Sequence, residues 1–381
     1  MQLVLTEEQE LLAKTAGDFV REHSPVARVR ELRDRRDDVG FSRALWKQMA
    51  ELGWVGIRIP EAYGGAGMAM ADLAVVLEEL GRRLAPEPFL STVLLGSEAL
   101  LLGGSDAQKQ AWLPAVAAGD KLLTLAWQEA RSRFDPCRIE TWAEPDGAEF
   151  VLTGEKIQVP DAHVADAILV VARTGGSDRD ETGLAIFLVP RGAAGLAITR
   201  QTRIDHRNAA LVRLDGVRVG RDAVVGELGG GGPLLLQVID RATAGLCAEM
   251  LGATSQVFED TLHYLKTRVQ FGVPIGSFQG LKHRAARLFM EVELARSATM
   301  AAVRAVYEEE APDLARLVSL AKARCSDAFV LAANEAVQMF GGVGMTDEYD
   351  VGFYLKRARV AEMTFGDAAW HRERWARLGG Y

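Results

Sequence analysis

The chain has 381 residues, 49% apolar and 25% charged, with a formal net charge of −8. That length exceeds the roughly 250 to 300 residues at which a single core stops growing, so two or three packed modules are expected. The acidic balance argues against nonspecific nucleic-acid binding, and no apolar run approaches the roughly 18 residues of a membrane span. Cys137, Cys247 and Cys325 are odd in number and far apart, which argues against a disulfide framework or a zinc site. The segment Leu3 to Glu10 carries acids where a secretory signal would carry basic residues, so a reducing cytoplasm is the expected compartment.

From Thr6 to about Gly119 the pattern is helical. Thr6 with Gln9 three residues later reads as a capping box, and Leu73, Val76, Leu77 and Leu80 recur at helical spacing. Turn chemistry interrupts at Pro60 to Gly67 and at Pro86 to Pro88. Near Lys121 the texture changes to short β-rich runs: Leu122 to Trp127, Glu149 to Thr153, Ala167 to Ala172, Leu184 to Val189 and Leu211 to Leu214. The glycine run Gly229 to Gly232 with Pro233 reads as a hinge. Beyond it, Leu234 to Lys266, Gln279 to Glu308 and Leu314 to Phe340 read as long amphipathic helices.

Two motifs stand out. Arg268, Val269, Gln270, Phe271 and Gly272, followed by Phe278 and Gln279, pair a guanidinium suited to phosphate with a glycine that permits a sharp turn. Gln338 opens a run ending in Gly341, Gly342 and Gly344, where backbone can approach a ligand closely. With the helix, strand, helix order, these residues resemble the acyl-CoA dehydrogenase family. The resemblance runs from Leu5, Thr6, Glu7, Glu8 and Gln9 to the C-terminal helix. It implies an α+β fold with an N-terminal helical domain (1–120), a middle antiparallel β-domain (121–228) and a C-terminal four-helix-bundle domain (229–381). It also implies FAD, held through Arg268, Gln270, Phe271, Gln279, Gln338, Gly341 and Gly342, the last three serving a neighbouring subunit's dinucleotide.

In that family a glutamate removes the α-proton of an acyl-CoA thioester while the β-hydride passes to the flavin, and the electrons leave to an electron-transfer flavoprotein. The two known glutamate positions fall on Phe365, within Thr364, Phe365, Gly366 and Asp367, and on Ala242. Neither residue can take a proton. Asp240 is a weak substitute, read by default as a solvated acid near a helix start. The ring-facing motifs are altered too. Gln128 to Asp135 keeps only Glu129 and Asp135 of the family pattern, Gln158, Val159 and Pro160 replace a Trp-x-Thr, and Asp367 and Ala369 replace a Thr and a Gln.

Such a pattern resembles the smaller, base-less subunit of α2β2 acyl-CoA dehydrogenases acting on steroid side-chain or dicarboxylyl-CoA thioesters. It implies an acyl-CoA substrate and a second dehydrogenase subunit as partner. Two alternatives stand beside it: a self-sufficient homotetramer using Asp240 or Glu249 as base, and a non-catalytic binding protein on the same fold. The remaining candidates read as structural. His371, with Arg372, Arg374 and Arg377, reads as helix-dipole complementarity, His206 and Arg207 as a surface loop, and Arg28 to Arg36 as a solvated helix face. No histidine shows metal-ligand spacing.

Overall fold

The computed structural model describes residues 4–306 and 313–381; the expected helix end at Glu308 lies outside them. Six helices come first: α1 (Glu7–His23), α2 (Ala27–Arg35), α3 (Arg43–Glu51), α4 (Met70–Arg82), α5 (Glu98–Gly103) and α6 (Asp106–Ala117). Eight strands follow: β1 (Leu123–Ala126), β2 (Trp142–Asp146), β3 (Glu149–Val159), β4 (Ala167–Arg173), β5 (Leu184–Pro190), β6 (Leu196–Gln201), β7 (Ala209–Gly220) and β8 (Val224–Val225). Then come α7 (Gly231–Thr267), the hairpin β9 (Val269–Gln270) and β10 (Val273–Pro274), and α8 (Gln279–Ala305), α9 (Leu314–Phe340), α10 (Val351–Met363) and α11 (Ala368–Leu378). By compactness the chain forms two units. One holds Met1–Arg35, Ala69–Ala85 and Thr243–Tyr381; the other holds Arg36–Met68 and Pro86–Ala242.

The second unit is built on a sheet of strand order β6-β7-β3-β2-β4-β5-β8, with β1 beside β4. Most pairs are antiparallel, but β1 runs parallel to β4, and Trp142 of β2 pairs parallel with Arg173. Alternation places Phe150 and Leu152 of β3 inward against Phe187, Val212 and Leu214. Two register shifts interrupt β3, between Leu152 and Gly154 and between Lys156 and Val159. Lys156, on the same face as Phe150 and Leu152, is carried into the interior by that alternation. Helical structure before the sheet includes a π-helical run, Phe89–Ser97, directly after the Pro86 to Pro88 turn, which the spacing of apolar residues does not reveal.

The glycine run is no hinge. Gly231 and Gly232 lie inside α7, and Gly230 bridges Leu184. A Cβ on Gly232 would sit 2.1 Å from the Glu181 carbonyl oxygen, and one on Gly231 would sit 2.8 Å from Ala185 Cα. These glycines are present because the helix start presses against the entry to β5.

The first unit is helical. Thr6 Oγ1 accepts from Gln9 N–H and Gln9 Oε1 from Thr6 N–H, both at 3.2 Å, so the capping box forms as read. Leu73, Val76, Leu77 and Leu80 of α4 are all buried. α4 and α7 approach closely through glycines: a Cβ on Gly81 would lie 2.0 Å from the Glu249 carbonyl oxygen, and one on Gly252 would lie 1.8 Å from that of Glu78. Against expectation, Arg28 to Arg36 is not simply solvated. Arg33 bonds Asp347 at 2.6 Å, Arg30 bonds Asp350 at 2.8 Å, and both guanidiniums sit over the Phe353 ring.

Candidate functional site

One surface of the helical unit carries residues its own packing does not use. After α7 the β9–β10 hairpin is closed by Ile275 N–H donating to the Arg268 carbonyl at 2.8 Å. Its tip is Phe271, at φ +55°, and Gly272, at φ +81°. A bulky residue in the left-handed region costs roughly 1–3 kcal/mol, yet Phe271 is 92% exposed, with the Phe278 ring edge-on at 6.1 Å between centroids. Arg268, Gln270 and Gln279 are exposed beside it.

The second patch follows α9. Gly341, at φ +67° and ψ −144°, occupies backbone space closed to other residues. A side chain on Gly341 or Gly342 would meet nothing within 4 Å among the described residues, so none of them requires Gly342 to lack one. Gln338, Gly341, Gly342, Arg284, Asn334 and Met345 line an open groove of about 610 Å³. The Tyr264 ring stacks on Phe340 at 4.1 Å, and its hydroxyl donates to the Phe340 carbonyl at 3.3 Å. That contact joins the end of α7 to the end of α9, so the hairpin and the glycine turn emerge at the same end of the unit.

In the β-unit, by contrast, the ring-facing candidates satisfy one another. Glu129 accepts from Lys156 Nζ at 2.6 Å, from Thr141 N–H and Oγ1–H at 3.0 and 2.6 Å, and from Glu140 N–H at 2.6 Å. Burial raises this carboxyl's pKa, but the Lys156 ammonium and the hydrogen bonds outweigh it and leave it below the usual range. Burial pushes Lys156 down to about 8. Ser132 donates to the Arg138 carbonyl at 2.6 Å, and Asp135 accepts from Cys137 N–H at 3.1 Å. The Pro160 carbonyl accepts from Thr124 Oγ1 at 2.7 Å, while Gln158 sits at φ +55°. Next to it Asp161 is buried between Ser91, at 2.6 Å, and Asn208, at 2.9 Å. Glu129 and Asp135, the two positions that kept the family pattern, are therefore engaged in internal hydrogen bonds.

The candidate bases fare no better. Ala242 is fully buried on α7, and Asp240 is 7% exposed, which removes the reading of a solvated acid. Glu249 Oε1 accepts from Arg357 Nε at 3.0 Å and Nη2 at 2.9 Å. Phe365 is 9% exposed at φ +62°, and Gly366 follows at φ +115°. Asp367 caps α11 by accepting from Trp370 N–H at 2.8 Å, and Ala369 lies exposed on α11.

Behind this turn sit two residues that the sequence reading missed or misassigned. His371 is 1% exposed, lies in the first turns of α11, and its Nε2 is 3.1 Å from the Phe365 carbonyl oxygen. Burial pushes its pKa down to about 2, so it is neutral and is not a helix-dipole cation. Lys322 is buried on α9 with its ammonium 3.1 Å from Ser326 Oγ, 2.9 Å from the Glu362 carbonyl and 2.8 Å from the Gly366 carbonyl. A signal for Lys322 was present: it interrupts the apolar stripe of Val318, Ala321, Cys325 and Phe329. Among the described residues no cluster of His, Cys, Asp and Glu suits a metal ion, and no helix is long and apolar enough to cross a membrane.

Comparison with known proteins gives three consecutive family matches. Residues 6–120 match the acyl-CoA dehydrogenase N-terminal domain, 124–217 the middle domain and 229–379 the C-terminal domain. The "Probable acyl-CoA dehydrogenase YngJ" of Bacillus subtilis (strain 168) is 30% identical over 373 residues, covering 96% of each chain. Among solved structures, the ChsE4-ChsE5 complex from Mycobacterium tuberculosis includes a chain 29% identical with a TM-score of 0.90, covering 100% of this chain and 99% of that one. The Tcur3481-Tcur3483 steroid ACAD is 29% identical with a TM-score of 0.87, covering 98% of each chain.

Proposed function

The chain belongs to the acyl-CoA dehydrogenase family, FAD-dependent oxidoreductases acting on the CH–CH group of acyl-CoA, and from that premise we propose that it is the base-less subunit of an α2β2 enzyme. The substrate class we assign is a steroid side-chain or dicarboxylyl-CoA thioester, with an electron-transfer flavoprotein as acceptor. One observation carries the subunit reading: both family glutamate positions hold residues that cannot take a proton, Phe365 and Ala242, and neither weighed substitute is a free carboxylate at the surface. Glu249 is locked to Arg357, and Asp240 is buried. Relatives described as a two-chain complex and as a steroid ACAD support the arrangement and the substrate class.

The residues present fit half of the cofactor. Arg268, Phe271, Gln279, Gln338, Gly341 and Gly342 offer a cation, an exposed aromatic face and flat backbone, and a side chain at Gly342 would meet no described residue within 4 Å. They would hold the dinucleotide portion. The ring portion lacks its partners here: Pro160 has no N–H, and Glu129, Ser132 and Asp135 are engaged internally. When bound, FAD accepts the β-hydride. Phe365 and Gly366 keep their backbone N–H groups, which among the described residues have no backbone acceptor and suit a thioester carbonyl. The exposed row Phe289, Met290 and Leu294 on α8 is an apolar face of the kind that subunit assembly covers.

The test is complementation. The chain alone should leave flavin unbleached by acyl-CoA under anaerobic conditions, and mixing with an acyl-CoA dehydrogenase chain that carries the glutamate should restore bleaching. If the chain bleaches flavin alone, and Asp240→Asn or Glu249→Gln abolishes this without unfolding it, the self-sufficient reading replaces this one.

A further inference from the structure

The turn Thr364 to Asp367 is held from behind by two buried side chains on consecutive carbonyls. His371 Nε2 takes that of Phe365, and the Lys322 ammonium takes that of Gly366. A trans peptide is planar, with its N–H opposed to its C=O. Pinning the Phe365 carbonyl toward the bundle therefore sets the Gly366 N–H away from it, and pinning the Gly366 carbonyl does the same for the next plane. Phe365 itself is committed to φ +62°, and a Cβ on Gly366 would lie 2.6 Å from the Trp370 ring and 3.0 Å from His371 Nε2. The turn thus has little room to relax while its two clamps hold.

Lys322 is the expensive one of the two. An ammonium in a helical core loses its hydration, and apolar residues of similar volume would pack there without that cost. Its three N–H donors find three acceptors: Ser326 Oγ, the Glu362 carbonyl and the Gly366 carbonyl. The groups facing it are the Cys247 thiol of α7, the Cys325 thiol of α9, the Glu362 and Asp367 carboxyls and the neutral His371 ring. Glu362 lies in the last turn of α10, so the same ammonium also caps that helix and ties it to the turn. We propose that Lys322 is a positioning residue: by holding the Gly366 carbonyl, and with it the Gly366–Asp367 peptide plane, next to the plane that His371 holds, it keeps the turn Thr364–Asp367 in the conformation that presents the Gly366 N–H to a carbonyl ligand. This rests on reading that turn as the family's thioester-facing turn, whose side chain Phe365 changes while the backbone stays.

Hydrogen exchange followed by mass spectrometry on the full chain, wild type against Lys322→Met, tests this. The bonded amides of Thr364, Trp370 and His371 report on the turn and its flanks. In Lys322→Met the segment 363–371 should exchange at least about tenfold faster, while α8 and the first half of α9 stay unchanged. No acceleration in that segment, or equal acceleration throughout the bundle, would overturn the proposal.

Should Lys322→Met fail to fold, a pH series on the wild type decides. Burial holds Lys322 near 8 against an ordinary 10.5. Above that folded value the neutral amine donates two hydrogens in place of three, so exchange of 363–371, corrected for hydroxide catalysis, should step up through about pH 8. Between about 8 and 10.5 the unfolded chain binds the extra proton, so this group's contribution to global stability rises with pH. Loosening of the turn without global weakening is the expected signature, and absence of the step contradicts it. Exchange needs neither flavin nor partner, so a chain that proves self-sufficient in dehydrogenation would end the subunit reading and leave this result standing.

Discussion

Two regions with the same family ancestry have taken opposite courses. Around Arg268, Phe271, Gln338 and Gly342 the surface is open, with Phe271 held exposed at positive φ and nothing among the described residues crowding Gly342. On the other side Glu129 is closed on Lys156, Ser132 on the Arg138 carbonyl and the Pro160 carbonyl on Thr124. Whether a polar group has already been satisfied inside its own chain separates a surface kept for a ligand from one turned into scaffold. On the proposed reading, the open surface is the half kept for the nucleotide and the closed one is the half given over to scaffold.

Breaking the closed side should have the largest effect. Lys156→Met leaves Glu129 as a buried, uncompensated charge and should lower unfolding free energy by about 3–5 kcal/mol, read as a drop in the urea midpoint. A variant that keeps the wild-type midpoint would mean that the pair is not structural. On the open side, Arg268→Ala should leave the midpoint unchanged, since the guanidinium is exposed. It should weaken FAD binding by the assembled enzyme about 10- to 100-fold, the worth of a charged hydrogen bond, measured by titration calorimetry. The smallest and sharpest test is Gly342→Ala. Nothing crowds that position, so stability should hold or rise by about 0.4–1 kcal/mol, while FAD affinity falls about several-fold. Unchanged affinity would remove Gly342 from the cofactor surface.

Much of this was legible in the residues. The capping box at Thr6, the stripe of α4, and the long helices were readable because local propensity and burial agree there. β2 and β6 were not. β2 carries Pro145 and two acids on an exposed face, and β6 is a half-exposed edge strand, so neither displays the apolar run that marks a buried strand. The glycines at Gly231 and Gly232 were misread because a close-packing glycine and a flexible one look alike in sequence. His371 was misread for the converse reason: its basic neighbours suggested a solvated helix end, while the ring itself turns inward. The candidate cofactor residues were legible as a motif, and what their spacing could not give was that they lie open while the ring-facing ones are sealed.

The central claim is most directly tested by counting FAD on the purified lone chain and following its flavin on anaerobic addition of acyl-CoA. The account predicts well under one FAD per chain and no bleaching, both restored on assembly with a glutamate-bearing partner. One tightly held FAD per chain, fully bleached by substrate without any partner, would contradict it.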